Sequence, residues 1–218
     1  MPDACSVAVA GTVLTLLPER AAYWDDADTL LVADVHLGKD ATFRAEAVPL
    51  PLGSTRSDLD RLSRLLQRTE AERLVVLGDL YHAAVGMTEP TLDALRGWRQ
   101  KHRSLDVVLV PGNHDRHAGA SSSDLDIAEH AAPLIDPPFV FRHEPLASEA
   151  GYVVAGHLHP GATVRGPGRQ RERLACYHAT PDRLVLPAFS ELTGLYMVER
   201  RPSDQTFVIA GDEVLPCD

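Results

Sequence analysis

The sequence predicts an α/β sandwich with a mixed sheet, and three features of the chain support this fold class. Apolar runs rich in β-branched residues recur along its 218 residues. Most of these runs are continuous rather than alternating, which is typical of strands that are covered on both faces. Segments with helical periodicity separate several runs in the first half, whereas the second half is rich in strands. That order of elements favours a layered sandwich.

Eight apolar runs are predicted to form strands. They occupy residues 12–17, 29–34, 73–79, 105–112, 139–143, 151–157, 183–188 and 206–211. A further strand pair is expected around Gly11. The N-terminal segment has an apolar middle, but it lacks the positive region of a signal peptide and is too short to span a membrane.

Two segments have the residue spacing of amphipathic helices. The first, 53–70, places four leucines on one stripe, which are Leu59, Leu62, Leu65 and Leu66. Ser54 or Thr55 is expected to cap its start. The second, 87–103, places three apolar residues on one stripe, which are Leu92, Leu95 and Trp98. Thr88 is expected to cap this second helix, and basic residues occupy its last turn.

Charge and cysteine content limit the class of protein. The net charge of −10 counts against a protein that simply coats nucleic acid. It says less about a nuclease, because bound divalent cations reverse the local sign of the charge at a site. The three cysteines show no paired spacing, which indicates free thiols in a reducing cytoplasm. Residues 117–126 and 165–173 have loop composition, and no linker divides the chain, so residues 1–218 are expected to form one domain.

Five short stretches each end an apolar run with side chains that can bind a metal. Their sequences are ADVHLGK, LGDLYH, PGNHDR, FRHEP and GHLHP. Taken singly, four of the five have an ordinary explanation, whereas GHLHP is a stronger signal because two histidines at i and i+2 beside a glycine form a common chelating geometry. Asp34 and His36 would share a strand face by chance, Asp79 would cap a helix, GNHD would form a turn, and His143 would be a surface histidine. Taken together, they predict a metal site, because ligands bind at the carboxyl ends of strands in open α/β sheets.

The donor types narrow the choice of metal. Imidazole combined with carboxylate suits Mn, Fe or Zn, whereas an all-oxygen set would indicate Mg or Ca. No cysteine lies near these stretches, which disfavours a thiolate zinc site. Two ions about 3.5–4 Å apart that share one carboxylate clamp the attacking and leaving oxygens of a phosphoryl displacement. The stretches are therefore compatible with phosphoester hydrolysis.

The five stretches, in this order over residues 34–159, resemble the motifs of the calcineurin-like metallophosphoesterases. The resemblance implies a four-layer αββα sandwich, in which two mixed sheets are flanked by helices and a dinuclear metal site lies at the strand ends. It also implies how the ligands divide between the two ions. The ligands of one ion would be Asp34, His36, Asp79 and His159. The ligands of the other would be Asp79, Asn113, His143 and His157, so that Asp79 bridges the two ions.

The same resemblance implies roles for residues beside the ligands. His114 is expected to be the general acid or a phosphate-stabilising group, and Asp115 is expected to be the carboxylate that orients it. The stretch GDLYH is similar to the SbcD-like nucleases, in which the histidine at the position of His82 assists catalysis. Tyr81 is expected to be structural.

A smaller bacterial group is similar over more of the chain. Residues 30–55 and 186–195 resemble the ligase-associated DNA-damage-response endonucleases, the PdeM-like enzymes. This implies two divalent ions, with Mn²⁺ favoured and Fe or Zn as alternatives. It also implies a DNA substrate, together with an ATP-dependent ligase, a helicase and an exonuclease as partners. A cytoplasmic location without a membrane is expected, and a homo-oligomer is compatible with the sequence.

Three functions stay open from the sequence. The first is a phosphodiesterase that cleaves DNA as an endonuclease; Arg44, Arg116 and Arg165 are its candidate phosphate contacts, although each is more simply a solvated surface residue. The second is a small-molecule phosphoesterase acting on cyclic nucleotides or nucleotide conjugates, which a deep closed pocket would favour. The third is a metal-free protein-binding scaffold, and the presence of every expected ligand argues against it.

Overall fold

A computed structural model describes residues 3–48, 50, 53–118, 125–166, 168 and 171–217. In this part of the chain, two mixed β-sheets pack against each other and helices flank them. The predicted fold class is therefore confirmed.

The first sheet contains seven strands among the described residues, in sequence order. They are β1 (Cys5–Val9), β2 (Thr12–Leu17), β3 (Ala21–Trp24), β4 (Thr29–Val32), β5 (Arg73–Val76), β6 (Asp106–Leu109) and β7 (Ala128–Glu129). Strands β1 to β4 are antiparallel neighbours, and β4 to β7 are parallel neighbours. The parallel part needs crossover connections, and helices lie within them.

The second sheet follows in the second half of the chain. Its described strands are β8 (Leu134–Asp136), β9 (Phe139–Phe141), β10 (Tyr152–Ala155), β11 (Pro160–Arg165), β12 (Arg171–Ala179), β13 (Arg183–Val185), β14 (Tyr196–Met197), β15 (Gln205–Ala210) and β16 (Glu213–Pro216). The order is β14-β11-β12-β13-β10-β9-β8, with β15 pairing to β12 and β16 to β15. Strands β9, β10 and β13 are parallel, so their carboxyl ends lie together.

Four α-helices are found in the described part of the chain. They are α1 (Lys39–Ala45), α2 (Ser54–Thr69), α3 (Glu89–Lys101) and α4 (Asp115–Ala118), with short 3-10 turns at Asp25–Ala27 and Ala84–Gly86. Helices α2 and α3 confirm the two predicted amphipathic helices. None of the described helices is long and apolar enough to cross a membrane.

The predicted helix caps are wrong in detail. Helix α2 follows Gly53, which has a left-handed backbone (φ 102°), and no side chain caps the helix. The hydroxyl of Thr55 instead accepts a hydrogen bond from the Gly38 N–H at 3.0 Å, which ties α2 to the start of α1. Thr88 does occupy the N-cap position of α3, but its side chain makes no capping hydrogen bond.

Apolar side chains form two main layers of core. Between the sheets, residues such as Leu31 and Val75 pack against Phe139 and Val154. On the outer face of the first sheet, alternate strand residues pack against α2 and α3, and all four leucines of the predicted α2 stripe are buried there. Strands covered on both faces explain why the apolar runs in the sequence are continuous.

All eight predicted strand runs contain a strand, although several strands end earlier than predicted. The sequence did not predict seven of the described strands, which are β3, β7, β8, β11, β12, β14 and β16. Residues 165–173 were predicted to be a loop, but Arg165 ends β11 and Arg171 begins β12, while 167, 169 and 170 lie outside the described residues. Most of the predicted loop at 117–126 also lies outside them, over 119–124.

We expect Leu65→Ala to lower the free energy of unfolding by about 2–5 kcal/mol, because it leaves a cavity between α2 and the first sheet. Leu65 is 1% exposed and lies in that core layer. The matched control is its exposed neighbour Arg64. Arg64→Ala should change the stability by less than about 0.5 kcal/mol. Urea denaturation followed by circular dichroism measures both; equal stabilities would contradict the packing of α2.

Candidate metal centre

Parallel strands deliver the predicted ligands to one edge of the sandwich. Asp34 and His36 follow β4, Asp79 follows β5, and Asn113 follows β6. In the second sheet, ligands follow β9 and β10, and one directly precedes β11; these are His143, His157 and His159. Because the carboxyl ends of parallel neighbours lie side by side, the structure brings all seven predicted ligand residues together.

The first group of donors is formed by Asp34, His36 and His159, whose ligand atoms lie within 4.8 Å of one another. The His159 Nε2 atom is 3.3 Å from Asp34 Oδ1. Asp34 Oδ1 and His36 Nε2 are buried, and neither has a hydrogen-bond partner in the described part of the chain. Buried polar atoms are rarely left unsatisfied, so this pair of atoms fits a bound cation.

The second group surrounds the Nε2 atom of His143. This atom is 3.3 Å from Asp79 Oδ2, 3.1 Å from Asn113 Oδ1 and 3.0 Å from His157 Nδ1. Spacings of this size are expected for ligand atoms that each lie about 2.1 Å from a shared cation. The other ring nitrogen of His143 donates its proton to the carbonyl oxygen of Leu77 at 2.9 Å. That hydrogen bond fixes the tautomer and directs Nε2 into the group.

The electrostatics of the centre favour cations. Burial alone would raise the pKa of Asp79, but its hydrogen bonds with His143 and with the His114 amide lower it. Burial alone would lower the pKa of His143, but Asp79 and Asp34 raise it to about 9. Both shifts have one cause, since two buried carboxylates attract positive charge. Burial and the charge of Lys39 lower the pKa of His36 to about 2, so His36 is in the neutral form that binds metals.

The seven predicted ligands have an unusual backbone. Five of the seven have a positive φ, and they are Asp34 (55°), His36 (52°), Asp79 (54°), His157 (71°) and His159 (50°). This region is costly for residues other than glycine and persists only where surrounding interactions hold it. Main-chain hydrogen bonds supply that support. The Asp34 N–H donates to Gly78 O at 3.0 Å, and the His36 N–H donates to Asp79 O at 2.9 Å.

Glycines allow the strand ends to approach one another closely. A Cβ atom at Gly112 would lie 2.2 Å from Asp79 Oδ1, and one at Gly156 would lie 2.6 Å from Asp34 Oδ2. A Cβ atom at Gly78 would lie 2.3 Å from His143 Nδ1. The glycine before each of three ligands is therefore required by space at the centre.

His82 and His114 form a stacked pair beside the ligands. Their ring centroids are 5.0 Å apart, with an angle of 19° between the planes. The His114 Nδ1–H donates to the carbonyl oxygen of His82 at 2.6 Å, which leaves Nε2 as the outward ring atom, 3.9 Å from Asp79 Oδ2. The two rings also form a possible third donor group with His36, an arrangement that the sequence reasoning did not foresee.

The sequence predicted that Asp115 would orient the ring of His114, but the structure shows no such contact. The carboxylate of Asp115 accepts hydrogen bonds from three backbone amides, those of Asp79 at 2.7 Å, Tyr81 at 3.0 Å and Gly112 at 2.8 Å. The ring of His114 is oriented by the His82 carbonyl instead. Asp115 therefore joins the loop after β5 to the loop after β6, and it positions Asp79 through the main chain.

The three predicted arginine contacts are placed differently from one another. Arg44 lies in the last turn of α1, partly exposed, with its Nη2 atom 4.0 Å from Asp40. Arg116 is exposed two residues after His114. Arg165 lies six residues beyond His159 along β11, which places it roughly 20 Å away at about 3.3 Å per residue. At that distance an arginine cannot contact a phosphate bound at the centre, so a contact of Arg165 with a more distant phosphate of a DNA strand stays a prediction.

Two residues on α1 border the centre without having been predicted. Lys39 is buried at the start of this helix, and its charge acts on Asp34 and Asp79. The ring of Phe43 lies 6.0 Å from that of His82, and Lys39 Nζ lies 5.9 Å from the Phe43 ring centroid. The sequence carried a weak signal for Lys39, because it follows His36 by three residues in the stretch ADVHLGK.

The model of the calcineurin-like phosphoesterase family matches residues 28–175. The chain belongs to this family. A solved structure of a Pseudomonas putida nuclease, MPE, is 36% identical in sequence with a TM-score of 0.87, covering 99% of this chain and 100% of that one. YfcE, a phosphoesterase from E. coli, is 18% identical with a TM-score of 0.40 over 84% of this chain and 88% of its own. A comparison with curated protein sequences finds no match.

Membership in the calcineurin-like phosphoesterase family establishes the class of reaction. The chain is a metal-dependent phosphoester hydrolase, and the family uses a dinuclear divalent metal centre. The two donor groups described above provide the side chains for such a centre, with Asp79 and Asp34 at their junction.

We expect Gly112→Ala to abolish metal binding by the second donor group, because the new methyl group would have to displace the Asp79 carboxylate. Gly97→Ala is the matched control, since a Cβ atom at that exposed position in α3 meets nothing within 4 Å. That change should stabilise the protein by about 0.5–1 kcal/mol. Metal analysis after dialysis against Mn²⁺ compares the two variants; a full metal complement in Gly112→Ala would contradict the described approach of the strand ends.

Proposed function

We propose that this protein is a dinuclear-metal phosphodiesterase that cleaves DNA as an endonuclease. The observation that carries the proposal is that two groups of metal-binding side chains, one with His36 and His159 and the other with Asp79 and His143, share Asp34. Both lie beside the stacked pair His82 and His114. The likeness to the Pseudomonas putida nuclease over the whole chain supports nucleic acid as the substrate. The resemblance of its motifs to the ligase-associated endonucleases supports a role in the DNA damage response.

The chain's own side chains have distinct tasks in this reaction. One ion would be held by Asp34, His36, Asp79 and His159, and the other by Asp79, Asn113, His143 and His157. When bound, two divalent ions would polarise the phosphodiester and lower the pKa of water. His114 supplies a proton to the leaving oxygen from Nε2, because its Nδ1–H is already donated to the His82 carbonyl. His82 holds the ring of His114 by stacking and by that carbonyl.

The side chains at the rim of the centre are exposed to solvent, which favours a large substrate. Asn113 is exposed, and the side chains of His114 and His159 are 37% and 22% exposed. Asp34 and Asp79 lie beneath them, 0% and 2% exposed. A centre with buried carboxylates and an open imidazole rim allows a polymer strand to pass over it. The alternative substrate, a cyclic nucleotide or a nucleotide conjugate, would be favoured by enclosure on several sides.

The metal and the setting are also part of the proposal. The donor set contains imidazole, carboxylate and one amide, with no thiolate, and this favours Mn²⁺, with Fe or Zn as alternatives. We propose a cytoplasmic location and action with an ATP-dependent ligase, a helicase and an exonuclease, as the resemblance to the ligase-associated endonucleases implies. A metal-free scaffold is disfavoured, because such a protein has no physical need for a complete set of buried donors.

Substrate class is tested by incubating the protein and Mn²⁺ with supercoiled plasmid, bis-p-nitrophenyl phosphate and p-nitrophenyl phosphate in parallel. We expect nicked plasmid and cleavage of the diester in preference to the monoester. Diester cleavage with intact plasmid would favour the small-molecule alternative. A protein that binds two ions yet cleaves none of the three substrates would count against both enzymatic proposals.

The separation of roles is tested with two variants. Asp79→Ala should lose both ions and nearly all activity, because the family resemblance makes Asp79 the carboxylate that bridges the two ions. His114→Ala should keep both ions and lose about 10²–10⁴-fold in turnover, the usual contribution of a general acid. Metal content and diester hydrolysis are measured on the same samples. Full turnover in His114→Ala would refute the proton-donor role.

A further inference from the structure

The segment Ala188–Glu191, here called the strap, runs along the main chain of the first metal ligand. The Phe189 N–H donates to Ala33 O at 2.8 Å, and the Ser190 N–H donates to Asp34 O at 3.2 Å. Phe189 is 0% exposed and Ser190 is 1% exposed. The strap therefore supports Asp34 directly from the side opposite β5.

Two arginines from the first sheet and α2 bind the carbonyl groups of the strap. Arg20 Nη1 donates to Ala188 O at 3.3 Å and to Ser190 O at 3.0 Å. Arg61 Nη2 donates to Phe189 O, and the guanidinium lies 4.2 Å from the centroid of the Phe189 ring. Three consecutive carbonyl oxygens are thus held by charged donors, which form stronger hydrogen bonds than neutral ones.

Arg61 is itself fixed in place. Its side chain is 11% exposed, with Nη2 2.9 Å from Asp58 Oδ1 and Nη1 2.7 Å from Glu191 Oε1. Asp58 lies one turn earlier in α2, and Glu191 is the last residue of the strap. A planar guanidinium can make all of these contacts at once, whereas a lysine ammonium cannot reproduce the fork.

Asp34 needs support of this kind because its φ is 55°. A left-handed aspartate is strained and persists only where surrounding contacts hold it. Gly78 O accepts from the Asp34 N–H, and the Ser190 N–H binds the Asp34 carbonyl. Release of the strap would remove the second of these bonds. Asp34 would then be held only by Gly78 O and by the His157 N–H, which donates to Asp34 Oδ2 at 2.9 Å, and its carboxylate would be less firmly placed beside His159.

We infer that Arg61 and Arg20 are positioning residues for the metal centre, acting on Asp34 through the main chain of the strap. Neither arginine touches a metal-binding side chain in the described residues. The inference rests on the proposed dinuclear centre, and it adds residues that no metal-ligand motif contains. Arg61 is the stronger candidate because it joins α2, the strap and the ring of Phe189.

The test measures Mn²⁺ binding by isothermal titration calorimetry to full-length protein freed of metal. We expect wild type to bind two ions. Arg61→Ala should weaken the site of Asp34, His36 and His159 by about 10–100-fold, the usual effect of removing a partner of a metal ligand. Arg64→Ala is the matched control, because Arg64 is exposed on the same helix and makes no ion pair among the described residues. It should bind both ions as wild type does.

A second variant guards against a folding defect. Arg20→Ala removes two bonds to the strap without disturbing the pair of Arg61 and Asp58, and it should weaken the same site. Thermal unfolding of each metal-free variant reports its fold. Wild-type Mn²⁺ affinity in a folded Arg61→Ala or Arg20→Ala protein would overturn the inference and leave the proposed function intact. An equal loss of Mn²⁺ affinity in Arg64→Ala would have the same consequence. Fewer than two ions in wild type would overturn both.

Discussion

The left-handed backbone of five predicted metal ligands is the constraint on which the rest of the structure depends. Each of Asp34, His36, Asp79, His157 and His159 follows or precedes a strand and turns its side chain into a shared crevice. A non-glycine residue in this conformation costs about 1–3 kcal/mol and needs surroundings that over-determine it. The parallel strands, the loop-to-loop hydrogen bonds and the strap provide those surroundings. The packing of the two sheets thereby holds the strained backbone of these residues in place.

Carboxylates serve two different purposes around the centre. Asp34 and Asp79 present negative charge to the crevice, as the raised pKa of His143 shows. Asp115 is equally close in sequence to the ligands, yet it points to the main chain and gathers three amides. Because the two oxygens of one carboxylate can accept several hydrogen bonds at once, Asp115 fixes the relative position of two loops. Aspartate thus has a charge-presenting role at two positions and a structural role at a third.

The structure brings together the residues that the sequence predicted as ligands, whereas the residues that support them were not predicted. Asp34, Asp79 and His157 were predictable because each combines a metal-binding side chain with the end of an apolar run. Strands β11 and β12 were harder to predict, since arginines and a glutamate occupy their exposed ends and mimic a loop. The contacts of Arg61 with the strap join residues about 130 positions apart, and no local pattern encodes such a pairing. The contacts of Asp115 were also not predicted, because two of its three partners, the amides of Asp79 and Tyr81, lie on another loop.

The glycines at positions 78, 112 and 156 have a consequence for anyone who would transplant this centre into another scaffold. Copying seven side chains onto a foreign sheet would fail, since the host main chain must come within van der Waals contact of a carboxylate or an imidazole where these glycines stand. A transplant would have to include the glycine backbone between the strands together with the ligand side chains. A grafting design should therefore begin from loop geometry and only afterwards choose its donors.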